Sequence, residues 1–137
     1  MKSYFLDTNV LIYAQGAEHK YKSACQLIMR AAAADEIYGV TNTEVFQEIL
    51  YRYARLNKKS IGLQMVENVC AVIHETLPID KIDVLLAVKL LRRYHWLNVR
   101  DAVHAASALR NNFKFIISAD RHFDRIQGLQ RIDPLEF

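Results

Sequence analysis

The chain has 137 residues, 52% of them apolar and 24% charged, with a net charge of +3. A chain of that length buries roughly 70% of its unfolded surface, so it needs no staples to fold, and one domain over residues 1–137 is expected. No run approaches the roughly 18 apolar residues of a membrane span, the N-terminus lacks a signal-peptide pattern, and Cys25 and Cys70 form no C-x-x-C pair, so a zinc or disulfide scaffold is excluded and the cytoplasm is the expected compartment.

In chain order, residues 3–6 read as a strand and 9–15 as a short helix. From His19 to Ala34, apolar residues at 21, 24, 25, 28, 31 and 32 keep the i, i+3, i+4 spacing of an amphipathic helix. "IYGV" (37–40) is a short strand, followed by a helix with Val45, Phe46, Ile49, Leu50 and Tyr53 on one face. Ser60 is a candidate cap for the next helix, whose stripe is Leu63, Val66, Val69 and Ile73. "TLPI" (76–79) is extended, and the helix after it opens at Asp80 and closes on Arg92 and Arg93, which suits its dipole at both ends. An alanine-rich helix, "NVRDAVHAASALR", precedes a buried strand at 113–118 and a weak edge strand at 129–133. Strands separated by helices predict crossovers and an α/β fold: three α/β/α layers around a mostly parallel sheet of four to five strands.

Ligands in such sheets sit beyond the carboxyl ends of the strands. Asp7 ends the first strand, Glu44 opens the helix after the second, Asp101 lies in the first turn of the alanine-rich helix, and Asp120 follows the buried strand with Asp124 one step on. Singly, each acid is as well explained as a helix cap: Thr41 and Glu44 fit a capping box, and Asn98 precedes Asp101 by the same spacing. Together they would repel one another unless a cation offsets them, and no lysine or histidine recurs beside these positions. A divalent ion would do so. Carboxylates with hydroxyl and amide neighbours (Thr8, Asn9, Ser118) form a hard-oxygen set suited to Mg²⁺ or Mn²⁺, and paired ions in such a site favour phosphodiester hydrolysis.

"FLDTNVLIY", the "TE" that opens a helix, "RDAVHAASAL" and "IISADRHFDRI" resemble, in that order, the motifs of PIN-domain nucleases, and in particular the VapC-like toxins of toxin–antitoxin pairs. The resemblance runs from residue 3 to about residue 133. It implies a metal-dependent endoribonuclease with Asp7, Glu44, Asp101 and Asp120 as catalytic and metal-binding acids, Asp124 as an auxiliary acid, and Thr8, Asn9 and Ser118 as polar neighbours. It further implies an RNA substrate, a homodimer and an antitoxin whose C-terminal segment occupies the active groove.

His104 reads as a packed histidine beside Ala105 and Ala108 rather than a proton carrier. "RRYHW" (92–96) reads as a helix end with core-facing rings, and "RYARLNKK" (52–59) as a solvated terminus able to flank an RNA groove. A haloacid-dehalogenase-like phosphatase would need an aspartate where Asn9 stands, and the four glycines are too scattered for a P-loop or dinucleotide motif. The alternatives that survive are an RNA-processing nuclease outside a toxin system and a non-catalytic relative that binds RNA or protein.

Overall fold

The computed structural model describes residues 1–137. Its sheet has five parallel strands: β1 (Ser3–Leu6), β2 (Tyr38–Asn42), β3 (Glu75–Leu77), β4 (Phe115–Ile117) and β5 (Gln130–Ile132), in the order β3-β2-β1-β4-β5. Six helices flank it: α1 (Thr8–Gln15), α2 (Lys22–Ala33), α3 (Thr43–Arg55), α4 (Lys59–Val72), α5 (Lys81–Arg93) and α6 (Val99–Arg110). They pack in consecutive pairs, α1 on α2, α3 on α4 and α5 on α6. Short 3-10 helices follow at Arg121–Arg125 and Pro134–Glu136.

The central strands form the core. Phe5, Leu6, Val40, Ile116 and Ile117 are fully buried, as are Ala102, Ala105, Ala106 and Ala108, whose small side chains let α6 lie close to its neighbours. Gly62 does the same for α4: a Cβ there would sit 2.9 Å from Tyr53 Cβ on α3. Tyr94 and Trp96 pack part-buried against the core, as expected for the end of α5. Cys25 is buried and its thiol pushed up to about 12 by burial, whereas Cys70 is exposed; both are free.

Element ends differ from the sequence expectation, α2 starting at Lys22 rather than His19 and β4 spanning only Phe115–Ile117. Three further differences concern the end of β2 and the caps of α3 and α4. β2 runs two residues beyond Val40, because Thr41 and Asn42 pair with Thr76 and Leu77 of β3. Thr41 is therefore a strand residue whose hydroxyl donates to Leu6 O, and the cap of α3 is Asn42, whose Oδ1 accepts from Val45 N at 3.0 Å. The Thr41–Glu44 capping box does not form. Similarly, α4 begins at Lys59 with Lys58 at its cap position, which leaves Ser60 inside the first turn.

The chain connects β1 to β2 and β2 to β3 on one side, then crosses back to lay β4 against the other edge of β1. The strand order thus reverses between β1 and β4. In a parallel sheet this reversal opens a crevice at the carboxyl ends, because the two following connections leave in opposite directions. Asp7 follows β1 there and Ser118 follows β4, and Asp7 N donates to Ile117 O at 3.1 Å across the junction.

Candidate active site

A cavity of about 270 Å³ opens at this crevice, lined by Asp7, Thr8 and Asn9 from the start of α1, Glu48 and Arg52 from α3, Asn98, Arg100 and Asp101 from the start of α6, and Asp120. Its most constrained member is Asp7, 4% exposed. As the N-cap of α1, it accepts from Thr8 N at 2.8 Å through Oδ1. Its Oδ2 accepts from Ser118 Oγ at 2.7 Å and Asn9 Nδ2 at 3.2 Å, and Ser118 Oγ in turn accepts from Asp120 N at 2.9 Å. One hydroxyl therefore ties the ends of β1 and β4 together and sets the direction of the Asp7 carboxylate.

Asp101 enters from α6. Asn98 caps that helix, accepting from Asp101 N at 2.9 Å and donating through Nδ2 to Asp101 Oδ2 at 2.8 Å. Burial, then Asp7 and Asp120 beside it, push the Asp101 pKa up to about 7, and His104 only partly opposes them. Asp7 is also raised, chiefly by burial, against the pull of His104, Ser118 and the Thr8 N–H. Asp120 caps the 3-10 helix by accepting from His122 N at 2.9 Å, and its Oδ1 lies 3.2 Å from His122 Nδ1. Candidate ligand atoms of Asp101, Asp120 and His122 all lie within 4.8 Å of one another.

Asp7 and Asp120 are thus helix caps, each capping with one oxygen, and both carboxylates also stand at the cavity. Two predicted residues are not brought together with them. Glu44 sits at the second position of α3, outside the cavity lining; Glu48, one turn on, is there instead. Asp124 turns away to pair with Arg131, whose Nε lies 2.8 Å from its Oδ1.

Two histidines overturn the expectation of none beside the acids. His104 is 1% exposed, packed against Phe5 as a core histidine would be, yet its Nε2 meets Glu48 Oε1 and lies 3.5 Å from Thr8 Oγ1 and 3.9 Å from Asp7 Oδ1. Its Nδ1 faces Asn42 Nδ2 at 3.1 Å. Because Asn42 Oδ1 is committed to capping α3, the amide nitrogen must point at the ring, so Nδ1 accepts and Nε2–H donates to Glu48. Burial disfavours charge on this imidazole, but the carboxylates of Glu48, Asp7 and Asp101 outweigh it and raise the pKa. His122 is exposed and was foreshadowed only by its spacing from Asp120. For Glu48 the sequence did hold a signal: Glu44, Glu48 and Arg52 form one i, i+4 stripe on α3, and the cavity lies along its later turns.

Arg52 and Arg100 line the cavity without pairing to its acids, which lie close only to the two histidines. The donor set is mostly carboxylate oxygen, crowded and short of cationic compensation, and so fits a hard divalent ion.

The family model of the PIN domain matches residues 4–129. The chain is 33% identical over 127 residues to VapC ribonuclease Mb1869c of Mycobacterium bovis, covering 93% of this chain and 97% of that protein. Its fold is similar to VapBC2 of Rickettsia felis bound to a promoter DNA fragment, with a TM-score of 0.75 at 18% identity over 95% of this chain and 97% of the other. DNA-bound VapBC of Salmonella typhimurium gives a TM-score of 0.74 at 17% identity, covering 98% and 99%.

Proposed function

The chain belongs to the PIN domain family, and on that premise we propose that it is a metal-dependent endoribonuclease, the toxin of a toxin–antitoxin pair. The observation that carries the chemistry is the cluster of Asp7, Asp101 and Asp120 at the sheet reversal, with no lysine or arginine paired to any of them and one carboxyl pushed up to about 7. Acids held together at that energetic cost are a site awaiting a cation.

In this reading Asp7, Asp101 and Asp120 hold the ion, with His122 within reach, and Glu48 replaces Glu44 as the fourth acid. Bound Mg²⁺ or Mn²⁺ supplies Lewis acidity toward the phosphate and acidifies a water. Ser118, Asn9 and the Thr8 N–H fix both Asp7 oxygens before substrate arrives, so no reorganisation is needed at the moment of reaction. His104 holds Glu48 by Oε1 and leaves Oε2 without a protein partner, free to take a proton from an attacking water. Arg52 and Arg100 on the cavity wall bind phosphate oxygens of the RNA.

The mycobacterial relative is named a ribonuclease and the structural neighbours are toxin–antitoxin complexes, which supports an RNA substrate and an antitoxin partner here. No helix is long and apolar enough to cross a membrane. The reading includes one nuclease domain over residues 1–137, a homodimer and a cytoplasmic location.

The test is cleavage of a panel of structured RNAs by antitoxin-free protein with Mg²⁺, Mn²⁺ or EDTA, beside Asp101→Asn. Metal-dependent cutting that the variant loses is the expected result. Absence of both cutting and Mn²⁺ binding by calorimetry would return the acids to the role of helix caps.

A further inference from the structure

The geometry points to a second subsite, a nucleobase-stacking pocket next to the acidic cavity; it rests on the nuclease reading and adds to it where a flanking base of single-stranded RNA is held. Ile12 and Arg52 line both the acidic cavity and a neighbouring one of about 270 Å³, so the two share a wall. Helix α1 runs along both: Thr8 and Asn9 face the first, and Tyr13 and Gly16 face the second. From Asp7 to Tyr13 the helix advances roughly 9 Å, within reach of a nucleotide beside a phosphate held at the acids.

The second cavity has the opposite chemistry from the first. Tyr13 and His19 contribute rings stacked at 4.3 Å and 13°, and Tyr21 extends the stack at 5.5 Å from Tyr13. Arg52 and Lys58 add positive charge, and the one lining acid, Glu18, has its own counter-ion in Lys22 at 3.6 Å. Aromatic faces beside cations are what a single strand needs, because every base offers a π-face and every phosphate a negative charge. Arg52, common to both cavities, stands where the backbone would pass between them. The rings occupy a stacked arrangement already, so little side-chain freedom is lost when a base joins them.

The test uses the full chain and two probes: a labelled random-sequence single-stranded RNA pool, its affinity read by anisotropy with Ca²⁺ in place of Mg²⁺, and bis(p-nitrophenyl) phosphate hydrolysed with Mn²⁺. His19→Ala and Tyr13→Leu should each weaken RNA binding roughly 10-fold and leave hydrolysis of the small ester unchanged, while Tyr13→Phe binds like wild type. His19 is exposed, so its variant decides the matter even if Tyr13→Leu unfolds. Unchanged RNA affinity in His19→Ala overturns the subsite, as would an equal fall on both probes. Wild type that hydrolyses the ester but does not bind the pool sinks the subsite and spares the nuclease reading. Wild type inert on the ester and on RNA sinks both.

Discussion

Asp83 and Asp101 occupy the same place in two neighbouring helices: each is a buried aspartate three residues after an N-cap, Asp80 in one case and Asn98 in the other. Their surroundings then part. Asp83 accepts from Arg110 Nε at 2.7 Å, Arg110 Nη2 at 3.2 Å and Asp80 N at 2.9 Å. Burial alone would raise its pKa, but these bonds outweigh burial and hold it below the usual carboxylate value. Asp101 has the Asn98 amide and two other acids, and goes up to about 7. Asp83, which serves the fold, has its cation in Arg110; Asp101, the proposed metal ligand, has none. The α5–α6 seam and the cavity beside it are the two solutions on adjacent helices.

The sharpest way to break this contrast is to neutralise each acid in turn. Asp101→Asn should lower RNA cleavage by roughly 1000-fold while leaving metal-free Tm unchanged or higher, because it removes repulsion. Asp83→Asn should do the reverse, lowering Tm with cleavage intact, since it wastes the Arg110 pair; kinetics and thermal melts on the same preparations decide. Next in size is the choice between Glu48 and Glu44. Glu48→Gln should cost about 100-fold in turnover and Glu44→Gln less than about twofold; equal losses would remove Glu48 from the site.

A cation added from outside should act only on the open place. Mn²⁺ at one hundred times its Kd should stabilise the wild type by about 2.7 kcal/mol, seen as a rise in Tm, and the rise should be absent in Asp101→Asn. The smallest effect is the pH dependence of the metal-free protein. Between the ordinary value of 3.8 and about 7, folded Asp101 keeps a proton that the unfolded chain has released, so its contribution to stability falls as pH rises through that window. Asp83 has the opposite sign: its contribution is present above the ordinary carboxylate value and is lost as pH falls below it. Urea midpoints from pH 4 to 8 should slope downward in wild type and flatten in Asp101→Asn.

Much of this was legible in the sequence. Alternating apolar runs and helical stripes predicted the parallel α/β order, and Asp7, Asp101 and Asp120 could be placed at the carboxyl edge because each follows a strand or opens a helix. What distinguishes Asp83 from Asp101 was not legible: "DKID" and "NVRD" present the same cap spacing, and the arginine that separates their roles lies 27 residues further on from Asp83. Glu44 was named, and Glu48 was not considered, for a related reason. Both lie on one stripe of α3, and only the level of the cavity, about one turn or 6 Å further along, selects between them. His104 looked like packing because it is packing; its second task depends on Asn42 and Glu48, which only the crossing of α3 with α6 brings to it.

That meeting makes position 42 unusually intolerant of substitution. Serine would cap α3 but fall short of the imidazole, and aspartate would cap equally well yet offer His104 only acceptors. With aspartate the ring would lose the donor that faces Nδ1 and gain one more carboxylate beside it, which favours positive charge among the acids more strongly than in the wild type. An Asn42→Asp chain should therefore bind Mn²⁺ more weakly than wild type in a calorimetric titration, although residue 42 touches no ligand atom. One amide nitrogen thus restrains the charge that the carboxylates around His104 favour.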